Sequence, residues 1–167
     1  MDNRIRSYGP VCDERSRVLV LGTSPSIQSL KAGFYYGHPR NAFWPILARA
    51  FGEPTPVNTG QKRALLLENG VALWDVVGEC ERPGSMDADI RNPIANDVAG
   101  LLASRPNIAA VLLNGGTAQA LFRRLCPGAA GERPTVRLPS TSPAYTLPFE
   151  QKYAAWRDAL AEFGGIR

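Results

Sequence analysis

This sequence predicts an α/β fold, a three-layer α/β/α sandwich around a central four-stranded parallel sheet. Three observations carry that prediction. Short apolar runs of strand length recur at 17–22, 71–78, 109–114 and 135–138. Stretches with helical punctuation lie between them. The chain closes on Phe149, Tyr153, Trp156, Leu160 and Phe163, spaced 4, 3, 4 and 3, which is a single apolar stripe on a helix. Strands that alternate with helices pair in parallel and carry helices on both faces.

Taken in order, residues 1–16 are polar without a period and read as a loose N-terminal arm. "RVLVLG" (17–22) is a β-branched and leucine run ending in glycine, hence a strand buried on both faces. A long loop follows. Asn41 then caps a helix to about Phe51, with Pro45 tolerated in its first turn. "TGQKRALLLENG" (59–70) is a helix with Thr at the front and Gly at the back. "VALWDVVG" (71–78) is the second strand, and "ECERPGSMDADIRNP" a polar loop. "NDVAGLLASRP" is a helix stopped before Pro106, and "AAVLLN" (109–114) the third strand. "TAQALFRRLC" is a helix, "TVRL" (135–138) the fourth strand, and "PSTSPAYTLP" a proline-rich loop before the last helix. No linker or internal repeat divides residues 1–167, so one domain is expected.

Composition narrows the function. The 167 residues are 44% hydrophobic and 20% charged, ordinary for a soluble domain. No apolar run approaches the ~20 residues that span a bilayer, and "MDNRIRSYGPVCDERSR" lacks the apolar core of a secretory signal. A cytoplasmic protein is expected. Cys12, Cys80 and Cys126 include no C-x-x-C pair, and there is one histidine, too few ligands for a zinc or iron–sulfur site. Neither metal nor cofactor is expected. The net charge of +4 comes from 16 arginines against 3 lysines, and arginine's planar fork suits phosphate.

Ligands of parallel sheets bind beyond the carboxyl ends of the strands. There converge "GTSPS" (22–26), "WDVVGECERPGS", "LLNGG" (112–116) and "LPSTSPAYT" (138–146), faced by "GFYYGHPRNAFW" (33–44). The last of these fits no hydrophobic period, yet packs flat rings and hydrogen-bonding groups into twelve residues.

A strand ending in G-x-x-P-[GS], then G-[FY]-x-[FY]-x-H-P-x-N-x-F-W, resembles the uracil-DNA glycosylase superfamily. "YYGHPRN" with "LPSTSPA" is most similar to its hypoxanthine-DNA (deoxyinosine) branch, and the mismatch-specific uracil/thymine branch carries a related loop. The resemblance spans about residues 17–163. It implies a DNA repair enzyme, nucleoid-associated through DNA and monomeric. Such an enzyme hydrolyses the N-glycosidic bond of a flipped, deaminated base and leaves an abasic site.

By the same resemblance Tyr36 is the ring that stacks on the base, with Phe34 or Tyr35 as alternatives or core residues. Asn114 is the amide that reads the base edge, or else a strand-end cap. Asn41 of H-P-x-N positions the water and can also cap the helix. His38 lines the base site or is a structural hydrogen-bonding element. Two departures bear on substrate. Ser24 stands where most branches carry a water-activating Asp or Asn, and Leu138 where the strong uracil enzymes carry histidine. Both argue against efficient uracil excision.

Arg40, Ser140, Thr141 and Ser142 are expected to contact DNA, and Tyr145 or Leu147 to wedge into the duplex. Asp75 and Asp87 are the nearest carboxylates. Asp75 reads as a strand-end acceptor, and either could support Asn41. Lys31, Lys62 and Lys152 fall outside these motifs, which disfavours lyase chemistry through an amine. Three alternatives stand beside the leading one. They are excision of uracil from mismatches, silent binding of damaged DNA, and a soluble nucleotide-binding enzyme, the last disfavoured because "GTSPS" lacks the glycines of a phosphate-binding loop.

Overall fold

The computed structural model describes residues 4–83 and 86–166. Its strands are β1 (Arg4–Arg6), β2 (Val18–Gly22), β3 (Val71–Asp75), β4 (Val77–Glu81), β5 (Arg91–Ala95), β6 (Ala110–Asn114) and β7 (Thr135–Leu138). Its helices are α1 (Ile27–Ala32), α2 (Phe43–Phe51), α3 (Thr59–Glu68), α4 (Val98–Ser104), α5 (Gly116–Leu125) and α6 (Phe149–Phe163). The expected parallel sheet is present, in the order β3-β2-β6-β7. β2 and β6 are central and buried throughout, which is why both read as unbroken apolar runs.

Helices cover both faces. Val18, Val20, Leu73 and Leu112 point to a core shared with α2, α3 and α6, centred on Phe43 and Trp156. Leu19, Leu21, Val111 and Leu113 point to the other, closed by α4 and α5. Trp156 and Leu160 of the terminal stripe are fully buried, whereas Phe149 is surface-exposed and stacks on Tyr153. Among the described residues, no helix is long and apolar enough to cross a membrane.

The structure corrects the sequence in three places. The arm before β2 is tied down along much of its described length. β1 pairs antiparallel with β4, Val11 bridges Leu73, and the Tyr8 carbonyl accepts from both Trp74 Nε1 and the Tyr35 hydroxyl. The expected strand 71–78 breaks at Val76, although its N–H still bonds to the Gly22 carbonyl of the neighbouring strand. Beyond it, β4, a 3-10 turn at Asp87–Asp89, and β5 replace the expected loop, and β1-β4-β5 form a second, antiparallel sheet. Finally, α1 occupies part of the long loop after β2, capped by Ser26, whose hydroxyl accepts from Ser29 N.

Candidate active site

The register of the parallel sheet puts the last residues of the strands in one row. Gly22 pairs with Asp75, Leu21 with Leu113, and Asn114 with Leu138. Asp75, Gly22, Asn114 and Leu138 therefore follow one another across the carboxyl edge, on the face that carries α2 and α6. Above this row opens a cleft of about 1130 Å³, lined also by Ser24, Tyr36, His38, Asn41, the 139–145 loop and Leu147. The converging segments meet here.

The 33–44 loop is held by its own aromatics. Phe43 and Trp44 are buried, and the Trp44 indole donates to the Tyr35 carbonyl. Phe34 stacks on Trp44 inside the core and does not line the cleft. Tyr35 is also buried, its hydroxyl bound to the Tyr8 and Gly9 carbonyls. Tyr35 nonetheless lines the cleft. Tyr36 is more exposed than either. One side packs on Phe43 at 4.3 Å between centroids, it lines the cleft, and it is only half-buried. Its φ of 53° lies in the left-handed region, rare for a bulky residue and found where a site demands it. That turn drops its hydroxyl over Gly22, where a Cβ would sit 2.7 Å from it. The hydroxyl has no hydrogen-bond partner. Burial and then the Asp75 charge hold it neutral, with the Asn114 amide acting the other way.

Asn41 lies one residue before the cap position of α2, which Ala42 occupies without a side-chain bond. Its Oδ1 accepts from Phe43 N at 2.9 Å and its N–H donates to the His38 carbonyl. The Asn41 side chain thus makes an Asx turn rather than the expected cap, leaving a lone pair and its Nδ2 hydrogens for the cleft. His38 Nδ1 accepts from Arg40 N, a local bond that braces the loop. Arg40 is exposed and lies outside the cleft lining.

Asn114 is clamped by Thr141. Its Nδ2 donates to Thr141 Oγ1 and its Oδ1 accepts from Thr141 N, each at 3.0 Å. One donor hydrogen and one lone pair remain for a ligand. The Thr141 carbonyl in turn accepts from Ala42 N, joining this loop to the one that carries Asn41. Thr141 is 1% exposed and lines the cleft, with its hydroxyl, N–H and carbonyl all bonded internally. Ser140 and Ser142 are half-buried, each hydroxyl accepting a backbone N–H two residues on. Tyr145 is exposed at the rim and Leu147 lines the cleft beside it. Thr141→Val is expected to cost about 1–3 kcal/mol, because it strands the buried Asn114 amide without its hydroxyl partner. It is also expected to slow the reaction at the cleft; melting and a single-turnover rate check both.

Three comparisons bear on this site. The profile of the uracil DNA glycosylase superfamily matches residues 10–164. The chain belongs to the uracil DNA glycosylase superfamily. It is 33% identical over 152 residues to a hypoxanthine DNA glycosylase of Methanosarcina acetivorans, covering 90% of this chain and 94% of that one. A second hypoxanthine DNA glycosylase, from Methanosarcina barkeri, is 35% identical over 111 residues, covering 66% of this chain and 70% of that one. A solution NMR structure of a candidate uracil DNA glycosylase from M. acetivorans superposes with a TM-score of 0.78 at 31% identity. It covers 95% of this chain and 99% of that one.

Within this superfamily fold, Ser24 has another partner. Arg82, buried after β4, donates to Ser24 Oγ at 3.0 Å and to the Pro25 carbonyl, and pairs with Asp87 at 3.2 Å. Ser24 is thus engaged by a guanidinium, and Leu138 is buried apolar surface. Sequence reasoning did not single out Arg82, since an arginine in a polar stretch gives no sign that it is buried. Asp75 differs from its expected part as a strand-end acceptor, because its Oδ2 is buried without a partner. Among the described residues no group of three or more His, Cys, Asp or Glu is placed to hold a metal.

Proposed function

We propose that this protein is a monofunctional DNA glycosylase that releases hypoxanthine from deoxyinosine. The observation that carries the reading is the convergence of one free aromatic face, one clamped amide and one Asx-turn asparagine in a single cleft. The names of two relatives that match this chain support hypoxanthine as the base.

A base stacked in DNA is out of reach of such a cleft, so the nucleotide is extruded into it. The open face of Tyr36 stacks on the base. Asn114 offers the donor and the lone pair that Thr141 leaves to it. The bond between C1′ and the base nitrogen breaks with its electron pair going to the base, and C1′ becomes oxocarbenium-like. Asn41 holds a water beside that carbon; its oxygen adds to C1′ and its proton passes to solvent. Polar groups fixed at the developing charge matter more here than a strong nucleophile. Ser24 is bound to Arg82 and Leu138 is apolar, which favours Asn41 for the water. Among the described residues the cleft lining holds no lysine, and the Nζ of the buried Lys152 behind it donates to the Ser142 carbonyl, which supports hydrolysis without strand cleavage. Tyr145 and Leu147 fill the gap left in the duplex, and Ser140, Ser142 and Arg40 meet its backbone. One chain supplies every group named, which supports a monomeric enzyme.

The test is single-turnover excision from labelled duplexes carrying one deoxyinosine or one deoxyuridine, followed by alkali. Breaks at inosine well before uracil are expected. Breaks at uracil first would assign the chain to mismatch-type uracil excision, and tight binding with no breaks would make it a silent binder.

A further inference from the structure

Stacking, edge reading and water placement leave one buried group of the cleft unused. Asp75 closes β3, lines the cleft and is 2% exposed, and its Oδ2 has no hydrogen-bond partner. A buried polar oxygen without a partner is uncommon in native structures and asks for an occupant. Beside it, the absence of a side chain at Gly22 lets the Asp75 carboxyl and the Tyr36 hydroxyl close in over the strand end. A Cβ there would stand 2.7 Å from Asp75 Oδ1 and 2.7 Å from the Tyr36 hydroxyl, which is likewise unpartnered. Asn114 lies on the far side of Gly22. A base stacked on Tyr36 therefore lies near the Asp75 carboxyl, whose Oδ2 the protein leaves without a partner.

The charged and titratable groups around Asp75 come from every packed element. They are Tyr8 of the N-terminal segment, Tyr35 and Tyr36 of the 33–44 loop, Cys80 of β4, and Arg82 and Asp87 beyond it. Burial raises the carboxyl to about 7, with Arg82 opposing and Asp87 adding to the rise. Near neutral pH a large share of Asp75 therefore carries a proton and is an O–H donor. Deamination of adenine replaces an amino donor with a carbonyl acceptor next to N7. A fixed donor is satisfied by the deaminated base and meets another donor in adenine.

We infer that the Asp75 carboxyl donates a hydrogen bond to the carbonyl oxygen that deamination places on the purine, and so sets the choice of base. This rests on the function proposed above.

The experiment is single-turnover release of hypoxanthine from a deoxyinosine duplex between pH 5.5 and 9, for wild type, Asp75→Asn and Asp75→Ala. Wild type is expected to slow above about pH 7, by up to tenfold per pH unit, as the donor is lost. Asp75→Asn keeps a donor at every pH, so its alkaline fall disappears. Asp75→Ala is expected to be slow throughout. An unchanged alkaline fall in Asp75→Asn, or a wild-type rate in Asp75→Ala, overturns the inference. Absence of release by wild type at any pH instead removes the function it rests on. A reading free of variants is the ¹³C shift of the Asp75 carboxyl. It is expected to titrate near neutrality and to titrate higher with a duplex bound that carries an uncleavable deoxyinosine analogue. A titration that DNA leaves in place also overturns it.

Discussion

Asn41→Ala is expected to lower the single-turnover rate on deoxyinosine by about 10²–10³-fold, the loss typical when one fixed polar group at a developing charge is removed. The side chain has two jobs that can be separated. Its Oδ1 closes the Asx turn onto Phe43 N, and the residue lines the cleft. Losing the turn resembles losing a helix cap and costs about 1 kcal/mol. For a domain of this size that lowers Tm by ~2–4 °C. A large rate loss with a small melting change is the expected pair of results. Asn41→Asp sharpens the test, because it keeps the acceptor for Phe43 N and replaces the amide with a carboxylate. A rate in the alanine variant equal to wild type would take the water away from Asn41.

Asp75→Asn is expected to melt higher than wild type at pH 8. The sign follows from the raised carboxyl. With an ordinary value near ~3.9 and a folded value of about 7, the folded protein holds a proton between these limits that the unfolded chain has released. Wild-type stability therefore falls as pH rises through that window and levels off above it. At ~1.4 kcal/mol per pKa unit the whole fall amounts to up to about 4 kcal/mol. The amide does not ionise and avoids it. Equilibrium denaturation at pH 5 and pH 8 gives the check: the advantage of the variant is large at pH 8 and shrinks towards pH 5. An advantage of the same size at both values would mean that burial does not hold the proton on Asp75. A residue that weakens the fold yet lies in the cleft is what the stability–activity trade-off describes.

Three of the four parallel strands were legible because they are buried almost throughout and read as apolar runs closed by a polar or glycine residue. The fourth, β7, exposed at Thr135 and Arg137, showed only as a short β-branched stretch. Asn114 and the 33–44 loop were legible because the topology sends every strand end to one edge. The antiparallel sheet was not. β4 carries Gly78, Glu79 and Glu81, β5 carries Pro93, and β1 has one apolar residue in three, so no alternation marks them. Their pairing is decided by contacts across some 75 residues, such as Ile5 with Cys80. Tyr36 was singled out by resemblance alone, since three adjacent aromatics differ only in which way the backbone turns. Asp75 read as an ordinary strand-end carboxylate. Its surroundings include tyrosines tens of residues earlier in the chain, which no local pattern reveals. Thr141 carried a signal with two readings, because a hydroxyl in a proline-rich loop suits phosphate and an inward clamp equally well; the clamp on Asn114 was not foreseen.

The bond from Ala42 N to the Thr141 carbonyl joins the two walls of the cleft at a point where neither side chain reacts. The Ala42 amide proton is consequently a clock for the enzyme. Its exchange with deuterium requires the walls to part, so its protection measures how often the empty cleft opens and how firmly bound DNA holds it shut.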